Sequence, residues 1–329
     1  MFKRLLLIVI MMTLAACSGT TTREEGKLRV VTTVSPITNI VYNIGGDRIE
    51  LSGIVPEGVN SHTFEPAPSD ARKLAEADLI FLNGLNLELP TLRLAEANKR
   101  DDAKIILLGE QTITPDEYVY DFSFPKEAGD PNPHLWPNPW YALRYAEIVK
   151  DELSAADPDN SDYYEQNFLA FEQRIRELDA AIRATIQTIP PENRKLLTYH
   201  DSWAYFAPLY GMTVIGAIQP ADFAEPSARE VAEIIEQIRR EKVPAIFGSE
   251  VFPSPVLEQI ARETGATYVD DLRDDDLPGD PGDPNHSYFG LMAENIRIMA
   301  EALGGDPTPI LEFDTSNIPG PDTNVDQAR

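Results

Sequence analysis

The chain is poor in cysteine, in histidine and in positive charge, and each shortage removes a class of function. A single cysteine, Cys17, in 329 residues excludes an internal disulfide and any cysteine-based metal cluster. Lys and Arg number 28 against 54 Asp and Glu, a net charge of −26. That balance argues against nucleic acid, whose phosphates require cationic patches; an acidic field raises the local concentration of cations instead. Only Leu5 to Leu14 forms a long apolar run, and a bilayer takes ~20 such residues. The four histidines include no HxxH or HExxH pair, so the short-range helical zinc motif is missing.

The apolar run has a different use. Lys3 and Arg4 precede it, and Leu14-Ala15-Ala16-Cys17 follows it. A short positive segment, an apolar stretch and small residues make a signal peptide over 1–16. A cysteine directly after the small residues looks like a bacterial lipobox, in which Cys17 is lipidated and becomes the mature N-terminus. The polar residues 17–26 then read as a tether. Loss of Lys3 and Arg4 takes the mature charge to −28.

The remaining chain alternates strand-like and helix-like segments, the pattern of an α/β fold. Strands are expected at Leu28–Val34, Ile49–Val55, Asp78–Leu82 and Lys104–Leu108, then at Lys195–Tyr199, Met212–Ile218, Pro244–Gly248 and Ala266–Asp270. Ser69 is expected to cap a helix over 70–77, and Ser227 with Glu230 forms a capping box. Phe168, Phe171, Ile175, Leu178 and Ile182 step by three and four along one helix over 158–189, closed by Pro190-Pro191. At ~1.5 Å per residue that helix is long enough to cross two lobes. The expected architecture is two similar lobes, 27–157 and 190–305, each a mainly parallel sheet flanked by helices, joined by one long backbone helix. Residues 110–133 form a long Pro- and acid-rich loop, a length usually reserved for function. Residues 306–329 read as a loosely ordered tail.

His62, His134, His200 and His286 each fall in a loop or near a predicted strand end. In α/β sheets ligands gather at the carboxyl ends of strands. Neutral imidazole suits zinc and its neighbours, and three imidazoles with one carboxylate complete a tetrahedron. Spacing alone does not separate such ligands from ordinary hydrogen-bonded histidines.

The surrounding residues do. His62-Thr63-Phe64-Glu65-Pro66 fits a His-x-aromatic-Glu-Pro motif, and Asn132-Pro133-His134-Leu135-Trp136-Pro137-Asn138-Pro139 fits Asp-Pro-His-x-Trp-x-x-Pro with Asn in place of Asp. His200-Asp201-Ser202-Trp203-Ala204-Tyr205-Phe206 fits a third motif, and Glu225 to Glu230 and Phe247 to Gly265 fit further segments. From about Lys27 to Gly305 the chain resembles the zinc/manganese solute-binding lipoproteins of bacterial ABC importers. The resemblance implies a fourth ligand in an Asp-x-Leu segment. Leu272-Arg273-Asp274-Asp275-Asp276-Leu277 selects Asp275, with Asp274 and Asp276 as alternative registers. His286 has no counterpart in the family. Glu65, Asp201 and Glu250 are the carboxylates expected to orient the imidazoles, each equally readable as a helix cap or surface charge. The 110–133 loop lacks the histidines that zinc-specific relatives often carry there.

The implied function is capture, without chemistry, of one Zn2+ or Mn2+ and its delivery to the permease of an ABC importer. Three imidazoles favour zinc, and binding needs them neutral, so affinity should fall below about pH 6. The protein is expected to be a monomer, held outside the cytoplasm on the cell membrane through Cys17 and facing the periplasm in a Gram-negative cell. The rival readings are a surface-anchored zinc hydrolase, with Glu65 or Glu250 as base, and a metal-dependent adhesin. A hydrolase needs an open coordination position for water.

Overall fold

The computed structural model describes residues 26–249 and 254–318. The leader, Cys17, most of the tether and Glu250 lie outside these residues. The first sheet consists of β1 (Leu28–Thr32), β2 (Ile49–Gly53), β3 (Leu79–Leu82) and β4 (Lys104–Leu107), all parallel, in the order β2-β1-β3-β4. The second consists of β5 (Lys195–Thr198), β6 (Thr213–Ala217), β7 (Ala245–Phe247) and β8 (Thr267–Val269), also parallel, in the order β6-β5-β7-β8. The two lobes therefore repeat one topology without a visible sequence repeat. Each expected strand is present, shortened by one or two residues where the ladder ends.

Helices α1 (Ser35–Gly45), α2 (Pro68–Glu76), α3 (Leu89–Asn98) and α4 (Pro139–Ala156) flank the first sheet. Helices α6 (Ala228–Glu241), α7 (Pro255–Thr264) and α8 (Tyr288–Leu303) follow in the second half. Helix α2 starts before Ser69: Pro68 occupies the first turn, where its missing N–H costs nothing. The carboxylate of Asp70 then accepts the Ala67 N–H at 2.8 Å. The Ser227 capping box on α6 forms as the sequence implies, with Glu230 accepting the Ser227 N–H at 2.7 Å.

Between the lobes runs α5 (Ser161–Thr188), entered through a 3-10 turn at Pro158–Asn160. Its 28 residues span about 42 Å. Phe171, Ile175, Leu178 and Ile182 are fully buried along one face. That face packs against α1, α4 and α8 and belongs to one apolar core drawing on both sheets. The lobes thus share a core through α5.

Residues 306–318 correct the expectation of a loose tail. Helix α9 (Thr308–Leu311) packs on α5. Arg174 of α5 pairs with the Asp314 carboxylate at 2.9 Å and donates to the carbonyls of Asp314 and Ser316. Asn43 of α1 bonds Asn317 and accepts the Ile318 N–H. A Pro- and Asp-rich composition reads as loose, yet its carbonyls find a fixed cation. Among the described residues no helix is long and apolar enough to cross a membrane.

Candidate metal centre

The carboxyl ends of both sheets meet in one cleft, and the loops leaving them bring the chemistry. His62 lies in the loop after β2, His134 closes the loop after β4, His200 sits two residues beyond β5, and Asp274–Asp276 follow β8. Hydrogen bonds stitch the lobes together here. Ser61 Oγ donates to Asp275 Oδ2 at 2.6 Å, Trp136 Nε1 donates to the Asp274 carbonyl at 2.8 Å, and the Gly58 N–H donates to Asp276 Oδ2 at 2.7 Å.

Three imidazoles converge. The Nε2 atoms of His62 and His134 are 3.2 Å apart, those of His62 and His200 3.1 Å, and those of His134 and His200 2.9 Å. A tetrahedral site with metal–nitrogen bonds of 2.0–2.1 Å has edges of about 3.3 Å, so the triangle has nearly the dimensions that zinc requires. His134 and His200 are buried and His62 is half-buried. Ligand-capable oxygens of Asp274 and Asp275 both lie within 4.8 Å of a His134 ring nitrogen. Asp274 Oδ2 is 3.5 Å from His200 Nε2. Asp276 is turned onto Gly58, and His286 belongs to neither group: its Nδ1 donates to the Pro278 carbonyl at 3.2 Å and its Nε2 stands 3.8 Å from Glu57.

Among the described residues, the groups that meet the Nδ1 atoms of His134 and His200 are amides, while Glu250 lies outside these residues. His134 Nδ1 is 2.8 Å from Asn132 Oδ1, and His200 Nδ1 is 2.7 Å from Gln219 Oε1. Both amides are buried. Glu65 is exposed. Asp201 is buried but turned away: it accepts the Ser123 N–H at 3.1 Å, and only its main-chain carbonyl faces the site, receiving Asn132 Nδ2 at 2.8 Å. Burial lowers the pKa of all three imidazoles, and their mutual repulsion lowers His62 and His134 further, so all three are held as neutral donors. Burial also raises the Asp275 carboxyl, against the opposing pull of His200 and Ser61.

Two phenyl rings cover the partly open side. Phe223 stacks on His62 with ring centres 4.5 Å apart and planes at 19°, and Phe124 stands 5.6 Å from the same ring. Phe223 holds φ at +57°, a left-handed conformation that costs a bulky residue about 1–3 kcal/mol. Outside lies a cleft of about 340 Å³ whose lining includes His62, Asn86, Arg93, Phe124 and Phe223. Sequence reasoning missed Gln219 and Phe223. A signal for Gln219 exists: it lies two residues beyond β6, as His200 lies two beyond β5.

Full-length comparison decides what kind of protein carries this centre. A family model described as zinc-uptake complex component A, periplasmic, matches residues 30–302. The chain belongs to that family. It is 31% identical over 304 residues to the metal ABC transporter substrate-binding lipoprotein FimA of Streptococcus parasanguinis, covering 91% of this chain and 96% of that protein. It is 30% identical over 305 residues to the manganese ABC transporter substrate-binding lipoprotein PsaA of Streptococcus pneumoniae, with 91% and 96% covered. Among solved structures, the periplasmic zinc binding protein TroA of Treponema pallidum aligns with a TM-score of 0.77 at 28% identity, covering 84% of this chain and 99% of that one. The Mn-bound periplasmic metal binding protein of Candidatus Liberibacter asiaticus aligns at 0.73 with 27% identity, covering 84% and 100%. The zinc-uptake family is the one to which the histidine motifs pointed, and the solved structures share the overall fold.

Proposed function

We propose that this chain captures one divalent transition-metal ion outside the cytoplasm, zinc in preference to manganese, and delivers it to the permease of an ABC importer. The observation that carries the reading is the triangle of three neutral Nε2 atoms, 2.9–3.2 Å on a side, facing two buried carboxylates. The ligands are His62, His134, His200 and Asp275. Asp275 is favoured over Asp274 because Ser61, the neighbour of His62, holds its carboxylate from the opposite lobe at 2.6 Å. Three imidazoles and one carboxylate fill a tetrahedron and leave no position for an activated water, which distinguishes a carrier from a hydrolase. The relatives' names as transporter substrate-binding lipoproteins support the same assignment.

Capture proceeds by exchange of the hydration shell for these ligands. The shared core along α5 restrains the lobes, so closure is a small local shift. The protein acts as a monomer, tethered at the membrane surface through lipidated Cys17. The test is elemental analysis of protein lacking residues 1–17, purified without chelator, beside His62→Ala and Asp275→Ala. One zinc or manganese per chain, lost in both variants, is the expected result. No metal in the unaltered protein after incubation with either ion would overturn the reading.

A further inference from the structure

The family-level site explains the histidines but not what holds them. We propose that Asn132 and Gln219 are positioning residues: one neutral amide from each lobe fixes an imidazole with its Nε2 lone pair toward the cargo, and withholds the charge that would tighten the grip. This inference rests on His134 and His200 being ligands.

The hydrogen-bond network sets both amide orientations. Asn132 Nδ2 donates to the Asp201 carbonyl at 2.8 Å and lies 3.3 Å from the Asp121 carboxylate, so Oδ1 must face His134, where it also accepts the His134 N–H at 3.1 Å. Gln219 Nε2 reaches toward the Phe223 carbonyl at 3.5 Å, which turns Oε1 to His200. An amide oxygen only accepts. Each imidazole is therefore protonated at Nδ1 and bare at Nε2. Two bare nitrogens 2.9 Å apart repel unless a cation lies between them. The amides thus build a cation site before any cation arrives.

Ligand histidines commonly donate to a carboxylate, which raises ligand basicity. Neither buried amide adds charge here; among the described residues the carboxylates grouped with the histidines are Asp274 and Asp275. A carrier that must surrender its cargo gains from that restraint. At position 132 the neighbours enforce it: an aspartate would set an oxygen against the Asp201 carbonyl and the Asp121 carboxylate. At position 219 the amide N–H contact is long, and Ser123 holds the main-chain carbonyl at 2.7 Å whatever the side chain. Position 219 is therefore where a carboxylate can be tried.

The experiment compares wild type, Gln219→Glu, Gln219→Leu and His200→Ala by zinc competition against a chromophoric chelator, with the rate of zinc release recorded. Gln219→Glu should bind about 10–100-fold tighter and release correspondingly slower, while Gln219→Leu should bind weaker by a similar factor. A residue that only fills space would weaken binding in both variants, and that outcome overturns the inference. Binding lost in His200→Ala but equal across the position 219 variants overturns this inference alone. Binding that survives His200→Ala removes the ligand assignment beneath it as well.

Discussion

Asp274 and Asp275 are chain neighbours with different surroundings, and isosteric replacement separates their roles. Asp275→Asn keeps the shape and the acceptor for Ser61 Oγ, and deletes only the charge. Removing one partner of a buried charge pair costs about 3–5 kcal/mol. At 1.4 kcal/mol per decade, zinc should bind about 10²–10⁴-fold more weakly. Asp274→Asn should cost about 10–100-fold, the range for a partner that supports a ligand. The metal-free protein moves in the opposite direction. Burial raises the Asp275 carboxyl above its unfolded value, so its ionisation removes stability as pH rises past the ordinary carboxylate range. Asparagine has no such term. Without metal at pH 7.5, Asp275→Asn should therefore melt above wild type; with zinc it should melt below. Metal at 1,000 times Kd contributes about 4 kcal/mol, near 8 °C at about 2 °C per kcal/mol for a chain of this size. Scanning fluorimetry with and without zinc, beside chelator competition, reads both effects. If the two melting curves fail to exchange order, or if Asp274→Asn loses more affinity than Asp275→Asn, the reasoning is refuted.

Three further outcomes are expected. Phe171→Ala empties a fully buried site on α5 where the two lobes share a core. It should lower stability by about 3–5 kcal/mol in a single transition; two separate transitions in calorimetry would show that the lobes do not share a core. Glu88 is buried beneath the Asn83 and Gly84 amides, and burial lifts its pKa from 4.5 to about 7. An acid raised in the folded state loses stability as pH climbs from 4.5 to 7. Denaturation profiles of wild type and Glu88→Gln should therefore diverge by about 3 kcal/mol across that window, and parallel profiles would exclude the shift. Finally, a chain ending at residue 305 lacks the partners of Arg174 and Asn43; it should melt lower than the full chain, and an unchanged melting temperature would make the terminal packing irrelevant.

The frame was legible because its signals are local. Parallel strands are short apolar runs, and α5 repeats its apolar face every three or four residues. The motifs around His62, His134 and His200 marked three residues that the fold brings together, while Asp276 engages Gly58 and His286 engages Pro278. What stayed hidden depends on approach between distant segments. Gln219 carries no motif, only its place two residues beyond a strand, and Asn132 registered only as a departure from a motif. Phe223 contradicts local preference outright, since a phenylalanine is a poor candidate for positive φ. The expected roles of Glu65 and Asp201 failed for a related reason. Nearness in sequence does not set side-chain direction: Glu65 is exposed, and Asp201 accepts the Ser123 N–H.

The contact between Asn43 and Asn317 joins segments 274 residues apart, near the two ends of the described residues. Closing so long a loop is slow. A polypeptide threaded amino end first across a membrane would present His62 long before His200 or Asp275 had emerged to meet it. Lone ligands hold divalent metal poorly, so the thread travels empty. Loading is thereby timed by the last segment to arrive, and ripening of the protein and acquisition of its cargo become events of the same compartment.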